Sequence, residues 1–162
     1  MTRNTFLITG ASDGIGAVYA ERLAKRGHDL ILVARRAEKL KALAAQLEKD
    51  HHIAVEVLSA DLSRAEDLEK VEARLRDDRR ITGLVNNAGI AGEGAITALE
   101  PAYVTTMINL NILAVTRLAA AIAPRLAADG KGTIINITSA SVVTPLTGLD
   151  VSSAARAGRS PR

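Results

Sequence analysis

A run of glycines near the N-terminus has the spacing of a phosphate-binding turn. The stretch Thr9-Gly10-Ala11-Ser12-Asp13-Gly14-Ile15-Gly16 follows one apolar run and precedes a helical pattern. Gly10 allows a sharp turn, Gly14 allows the backbone to approach a phosphate, and Gly16 allows close packing of helix on strand. The N–H groups that open the helix would then face the anion. The alternative is a tight strand-to-helix turn that binds nothing.

Two cations form a second chemical signal. Arg35 and Arg36 directly follow the apolar run Asp29–Ala34. An acidic residue at the position of Ala34 would bond ribose hydroxyls and repel an additional phosphate. A guanidinium fork suits a phosphate. An ordinary solvated helix start is the alternative, although two cations there oppose the dipole at a helix N-terminus. The pair favours a ligand that carries an additional phosphate.

The elements that must position these residues alternate regularly along the chain. Apolar runs predict strands over residues 5–8, 29–34, 53–58, 83–86 and 133–137. Helical patterns separate them, over residues 17–26, 37–49 and about 63–76, followed by a long segment from Pro101 to Ala128. This alternation predicts an α/β fold, a doubly wound parallel sheet of the Rossmann type with five strands and flanking helices. We predict one domain over residues 1–162.

Two local signals refine these helices. Ser63 and Glu66 have the spacing of a capping box at the start of the third helix. Pro124 is expected to kink or end the long helix.

Polar residues follow the predicted strands at one edge of the sheet. Gly10, Arg35, Asp61, Asn87 and Ser139 each stand just beyond a strand. Ligands of such sheets bind at the carboxyl ends of the strands, so one cleft should gather these residues.

Composition excludes several other classes of function. The 162 residues include no cysteine, and the three histidines have no carboxylate motif beside them, so we expect neither a disulfide framework nor a metal site. The net charge of +3 is mild and dispersed, and aromatic residues make up only 2%, which argues against nucleic acid as a partner. We expect no signal peptide, no apolar run long enough to span a bilayer, and a cytoplasmic location.

Several motifs in order resemble those of the short-chain dehydrogenase/reductase family. These are the glycine run, Asp61-Leu62, Asn86-Asn87-Ala88-Gly89 after the fourth strand, Asn111 in the long helix and Ser139 past the fifth strand. The resemblance extends to about Gly158. It implies reversible hydride transfer between a nicotinamide cofactor and a small-molecule carbonyl or alcohol, with Asn111 and Ser139 as catalytic residues. The implied cofactor-binding residues are Gly10, Ser12, Gly14, Ile15, Gly16, Arg35, Arg36, Asp61, Leu62, Asn87, Ala88 and Gly89. With the arginine pair, the expected cofactor is NADP(H), with NAD(H) as the alternative.

The sequence departs from the family where the proton donor is expected. Counting from Ser139, Ser152 takes the place of the family's Tyr and Arg156 that of its Lys. A serine hydroxyl is a far weaker acid than a phenol, and loss of a general acid costs on the order of 10²–10⁴ in rate. Tyr19 and Tyr103 are expected to be packing residues.

The last residues suggest that the C-terminal elements of the family are missing. The ending Ala157-Gly158-Arg159-Ser160-Pro161-Arg162 favours a truncated or frameshifted member, for which we do not expect the family's homo-oligomer. Three functions therefore stay open: an NADP(H)-dependent oxidoreductase, an inactive chain that binds the dinucleotide, and a degenerate product without a role.

Overall fold

A five-stranded parallel sheet forms the centre of the chain. The computed structural model describes residues 3–91 and 99–138. The strands are β1 (Thr5–Thr9), β2 (Asp29–Ala34), β3 (Val55–Ser59), β4 (Ile81–Asn86) and β5 (Thr133–Asn136). Their order across the sheet is β3-β2-β1-β4-β5, and every neighbouring pair is parallel.

Helices connect the strands and cover both faces of the sheet. They are α1 (Gly14–Ala24), α2 (Ala37–His51), α3 (Ala65–Asp77), α4 (Pro101–Ile108) and α5 (Val115–Ala128). A π-helical segment, Asn109–Ala114, joins α4 to α5, so that residues 101–128 form one continuous helix. The doubly wound α/β fold predicted from the alternation of strands and helices is confirmed.

The unbroken apolar runs of the strands are explained by burial on two sides. In β1, Phe6 and Ile8 face the core shared with α1 and α2, whereas Leu7 faces the core shared with α3 and α5. The same alternation holds in β2, where Leu30 and Ile31 face opposite cores. Side chains of consecutive strand residues point to opposite faces, so a strand covered on both faces must be apolar throughout.

The prediction of a capping box at the start of α3 is wrong. The Ser63 hydroxyl does not cap α3, because α3 starts at Ala65 and the N-cap position is Arg64, which has no side-chain cap. Ser63 instead donates to Asp61 Oδ1 at 2.6 Å. Pro124 does not end the long helix, which continues to Ala128. α1 also starts earlier than predicted, at Gly14 within the glycine run, because Asp13 caps it by accepting from Gly14 N–H at 2.8 Å.

The long helix also corrects an expectation about apolar length. The continuous helix Pro101–Ala128 is, by length and composition alone, sufficient to cross a membrane, with a mean hydropathy of 1.5 over its most apolar window. The expectation that no apolar run is long enough is therefore wrong. In this fold the helix packs as a core element, since Leu118 and Ile122 are buried in the core with α3. About a third of the apolar window is buried, so packing accounts for part of its apolar composition, whereas Ile108 and Leu113 are exposed.

Candidate active site

The cleft lies where the strand order reverses. From β1 the chain continues outward to β2 and β3, and then returns to place β4 on the other side of β1. Connections on either side of such a point diverge and leave a crevice at the carboxyl ends of the strands. The crevice has a volume of about 460 Å³. It is lined by Gly10, Ser12, Asp13, Gly14, Ile15, Val33, Ala34, Arg35, Arg36, Ala60, Asp61, Leu62, Asn87, Ala88, Gly89, Ile90, Leu110 and Ile137.

The glycine run forms one wall, and two of its glycines serve different purposes. Gly14 has a φ of +55°, which favours glycine, and a Cβ placed there would meet nothing within 4 Å. Gly16 is buried beneath the turn, where a Cβ would lie 2.3 Å from Gly10 O and 2.6 Å from Asn87 Nδ2. Gly14 thus keeps the backbone open toward the cleft, whereas Gly16 permits close contact between the helix start and the turn.

Hydrogen bonds fix the glycine turn to the end of β4. The buried Thr9 hydroxyl accepts from the N–H groups of Asn87 and Ala88, both at 3.0 Å. In return, Asn87 Nδ2 donates to the carbonyls of Thr9 and Gly10, both at 3.1 Å. The two walls of the cleft are therefore held at a fixed separation by polar groups that have little access to water.

Asn111 holds the loop that follows β4. Its side chain is fully buried in the π-helical segment, where Oδ1 accepts from Ile90 N–H at 3.0 Å and Nδ2 donates to Ile90 O at 2.7 Å. π-helical turns are uncommon and are found frequently at functional sites. The observed role of this side chain is to position the Ile90 backbone at the cleft wall.

The rim beside β2 carries several charges. Arg36 Nη2 donates to Ser12 Oγ at 3.0 Å and lies 3.5 Å from Asp13 Oδ2. Lys39 Nζ approaches the same carboxylate oxygen at 3.2 Å. The Lys39 hydrogen bond, with the Gly14 N–H, holds the pKa of Asp13 below its ordinary value. Within the described ranges, the exposed Arg35 guanidinium forms no ion pair.

The model of the family "short chain dehydrogenase" matches residues 4–160. The chain belongs to this family. Its members are oxidoreductases.

Solved structures agree with this assignment. A short-chain dehydrogenase from Sphingobium yanoikuyae in complex with NADPH is 51% identical, with a TM-score of 0.94 over 96% of this chain and 60% of that chain. A bulky-bulky ketone specific alcohol dehydrogenase from Comamonas testosteroni is 44% identical, with a TM-score of 0.95 over 98% of this chain and 64% of that chain.

A curated relative is the very-long-chain 3-oxoacyl-CoA reductase-A of Danio rerio, which is 38% identical over 156 residues. That match covers 93% of this chain and 48% of the relative. The chain therefore spans about half the length of the curated relatives it matches.

The structure gathers most of the residues that the family resemblance singled out. All of the predicted cofactor-binding residues except Gly16 line the crevice, and Gly16 supports it from below. Asn111 lies behind the crevice wall through its contact with Ile90. The predicted catalytic Ser139 lies outside the described residues, as do Ser152 and Arg156.

Asp61 lines the crevice in the turn that follows β3. Its Oδ1 accepts from Ser63 N–H at 3.1 Å and from the Ser63 hydroxyl, while its own N–H donates to Asp67 Oδ2 at 2.9 Å. The last of these bonds, with Lys70, holds the pKa of Asp67 below its ordinary value. The turn after β3 is thereby fixed by a local network that presents Asp61 to the crevice.

Two features of the site were not predicted from the sequence. Asp13 lies within the glycine run and caps α1, and an aspartate directly before a helix start is a preferred N-cap. Ile90, whose backbone is bound by Asn111, had no signal in the sequence.

The two tyrosines differ in their contacts. Tyr19 packs against the core under α1, whereas the Tyr103 hydroxyl donates to Ala91 O at 2.7 Å. Within residues 3–91 and 99–138, no group of His, Asp and Glu side chains could hold a metal ion.

Proposed function

We propose that this chain is an NADP(H)-binding oxidoreductase that acts on a small-molecule carbonyl or alcohol. The observation that carries the proposal is a crevice with a glycine turn at one end and Arg35 and Arg36 at the end of β2, where an acidic residue would select against a phosphate. Structures of relatives were solved with NADPH or NADP, and the alcohol dehydrogenase and oxoacyl-CoA reductase relatives are named for carbonyl or alcohol chemistry.

The residues present fit a dinucleotide. Gly14 leaves backbone open to the crevice at the N-terminus of α1, where N–H groups without intrahelical acceptors and the helix dipole favour a pyrophosphate. Asp61, which lines the crevice, would accept from an adenine amino group. When bound, the nicotinamide would supply or accept the hydride, while Ser139 would orient the substrate oxygen.

The arginine pair would supply preference for the phosphorylated cofactor. Both side chains are exposed on the rim of the crevice, and Arg36 has its guanidinium already oriented by Ser12. An oriented guanidinium loses less side-chain freedom when it binds a phosphate. Arg35 forms no ion pair with the described acidic residues, so its positive charge is available to a phosphate.

Fluorescence titration with NADPH and NADH tests the proposal. For the Arg36→Gln variant, we expect NADPH affinity to fall about ten-fold or more and NADH affinity to change little, as for loss of one charge-assisted bond of about 1.5–3 kcal/mol. Lys49→Gln removes the same charge at the far end of α2 and should leave both affinities unchanged. Equal losses for the two cofactors would refute the phosphate role of Arg36.

A second candidate function is dinucleotide binding without turnover. It is favoured by the sequence count that puts Ser152 and Arg156 at the positions of the proton-donating Tyr and its Lys. Assays with NADPH and a panel of aldehydes and ketones separate the two candidates. NADPH binding without measurable oxidation would support the inactive binder, whereas turnover that depends on Ser139 would support the oxidoreductase.

A further inference from the structure

One carboxylate faces the proposed phosphate-binding cations. Asp13 Oδ2 lies 3.5 Å from Arg36 Nη2 and 3.2 Å from Lys39 Nζ. All three side chains are at least half exposed at the rim of the crevice. An anion that approaches Arg36 must therefore enter a region already occupied by a negative charge.

The Asp13 side chain has two oxygens with separate roles. Oδ1 accepts from Gly14 N–H and caps α1, whereas Oδ2 is directed to Arg36 and Lys39. The cap needs only an acceptor oxygen, which asparagine or serine also provides. The turn therefore folds without the negative charge of Asp13, and the main effect of that charge is on Arg36 and Lys39.

We propose that Asp13 is a specificity-determining residue that weakens binding of the 2′-phosphate of the cofactor. Its carboxylate forms ion pairs with Arg36 and Lys39, and a bound phosphate must displace it from these cations. The inference rests on the proposed NADP(H) function and refines it: the arginines attract the phosphate, and Asp13 limits the strength of that attraction.

Lys39 has a defined place in this arrangement. It lies in the first turn of α2, on the same rim as Arg36, and its ammonium is engaged by Asp13. Once the Asp13 charge is removed, the ammonium becomes available to a phosphate. Lys39 should then contribute to phosphate affinity in a variant without that charge and contribute little in the native chain.

The test compares two fragments of the cofactor, adenosine 2′,5′-bisphosphate and 5′-AMP, by calorimetric titration. For Asp13→Asn we expect affinity for the bisphosphate to rise about three- to ten-fold, from removal of one charge near a dianion in screened water. Affinity for 5′-AMP should stay the same. Asp50→Asn, which removes an exposed carboxylate at the far end of α2, is the matched control, and thermal melting confirms that Asp13→Asn keeps the fold.

The outcomes separate this inference from the proposed function. If the native chain prefers the bisphosphate and Asp13→Asn does not strengthen that preference, the role of Asp13 is refuted and the NADP(H) function stands. If neither protein prefers the bisphosphate, both are refuted. Equal gains for the two ligands would also refute the inference, because the carboxylate would then act on the shared 5′-phosphate.

A double-variant comparison provides a second readout. Lys39→Gln should cost several-fold in bisphosphate affinity when Asp13 is replaced by Asn, and little in the native background. An equal cost in both backgrounds would show that Asp13 does not occupy the Lys39 ammonium, and it would overturn that part of the arrangement.

Discussion

Thr9 and Asn87 bind each other through both backbone and side chain. The Thr9 hydroxyl accepts from Asn87 N–H, and the Asn87 amide donates to Thr9 O, at 3.0 and 3.1 Å. Thr9 ends β1 and Asn87 follows β4, so this reciprocal pair joins the two strands between which the crevice opens. The geometry of the crevice therefore depends on a few buried polar contacts as well as on apolar packing.

Replacement of Thr9 by Val tests this dependence. The substitution keeps the shape but removes the acceptor for Asn87 N–H, so we expect a loss of about 1–3 kcal/mol in the free energy of unfolding. Urea denaturation measures it. Thr9→Ser keeps the hydroxyl and should lose less, whereas a Thr9→Val variant as stable as the parent chain would show that the hydrogen bonds do not matter.

Two glycine substitutions should separate folding from binding. Gly16→Ala places a Cβ 2.3 Å from Gly10 O, so we expect a strongly destabilised chain in thermal melts. Gly14→Ala meets no neighbouring atom, and its cost is the left-handed backbone, about 1–2 kcal/mol. The Gly14→Ala variant should therefore remain folded but bind NADPH more weakly, because its methyl group enters the open space. Unchanged affinity would contradict the role of Gly14 as the phosphate-facing position.

Asn111 and its neighbour Asn109 form a matched pair in the π-helical segment. Asn111→Ala removes both bonds to the Ile90 backbone, and we expect a loss of about 2–3 kcal/mol in unfolding free energy together with weaker NADPH binding. Asn109→Ala removes a single longer bond to Ser63 O, at 3.4 Å, and should cost less than half as much. Denaturant titrations of both variants provide the comparison. Similar small losses would show that the Ile90 contact does not support the site.

Asp78 should make stability depend on acid. Hydrogen bonds from Arg80, together with charge attraction from Arg80 and Arg74, lower its pKa from 3.8 to about 2. Because the folded-state pKa is the lower one, this stabilisation is present above about pH 4 and is lost as the pH falls toward 2. Arg80 is exposed, so we expect Asp78→Asn to cost only about 1–2 kcal/mol at pH 7.

The control for that measurement is Asp77→Asn, since the Asp77 side chain is 73% exposed and lies 3.8 Å from its nearest cation. The Asp77 variant should melt like the parent chain at every pH. The Asp78 variant should converge on the parent as the pH approaches 2. If the Asp78 variant is less stable than the parent chain by the same amount from pH 7 to 2, the loss of stability comes from packing and not from the carboxylate charge.

Glu72 and Arg117 form a two-pronged ion pair between α3 and α5. Glu72 is 8% exposed, and its carboxylate accepts from Arg117 Nε and Nη2 at 2.5 and 2.6 Å. Glu72→Gln should destabilise the chain by about 2 kcal/mol, since it leaves a guanidinium without its partner. The double variant Glu72→Leu with Arg117→Met should recover most of that loss. Calorimetric melting of the parent chain, the Glu72→Gln variant and the double variant measures this, and a double variant less stable than Glu72→Gln would contradict this account.

The sequence predicts this fold well because its strands carry a strong signal. Each of the inner strands is apolar on both faces, and each is followed by a turn and a helical pattern, which together specify a doubly wound sheet. The glycine run, Asp61 and Asn87 were correctly expected at one edge, since topology alone brings the carboxyl ends of parallel strands together.

Other features depend on contacts that one sequence does not reveal. Ser63 has a capping-box partner at the correct spacing, yet α3 starts only at Ala65, and Ser63 takes part in a local turn in which its hydroxyl donates to Asp61. The hold of Asn111 on Ile90 joins residues 21 positions apart through a π-helical segment, which no periodicity indicates. The ion pairs of Asp13 with Arg36 and Lys39 likewise arise only when α1 and α2 stand side by side.

The pairing of Thr9 with Asn87 also has a meaning for the order of folding. These residues are 78 positions apart, so a growing chain that has completed β1, α1 and β2 carries every glycine of the turn but no crevice. Closure of so long a loop is slow, and the contacts that offset its entropy cost form only when β4 docks beside β1. Competence to bind a dinucleotide should thus arise late and abruptly during synthesis, once residues beyond Asn87 have left the ribosome.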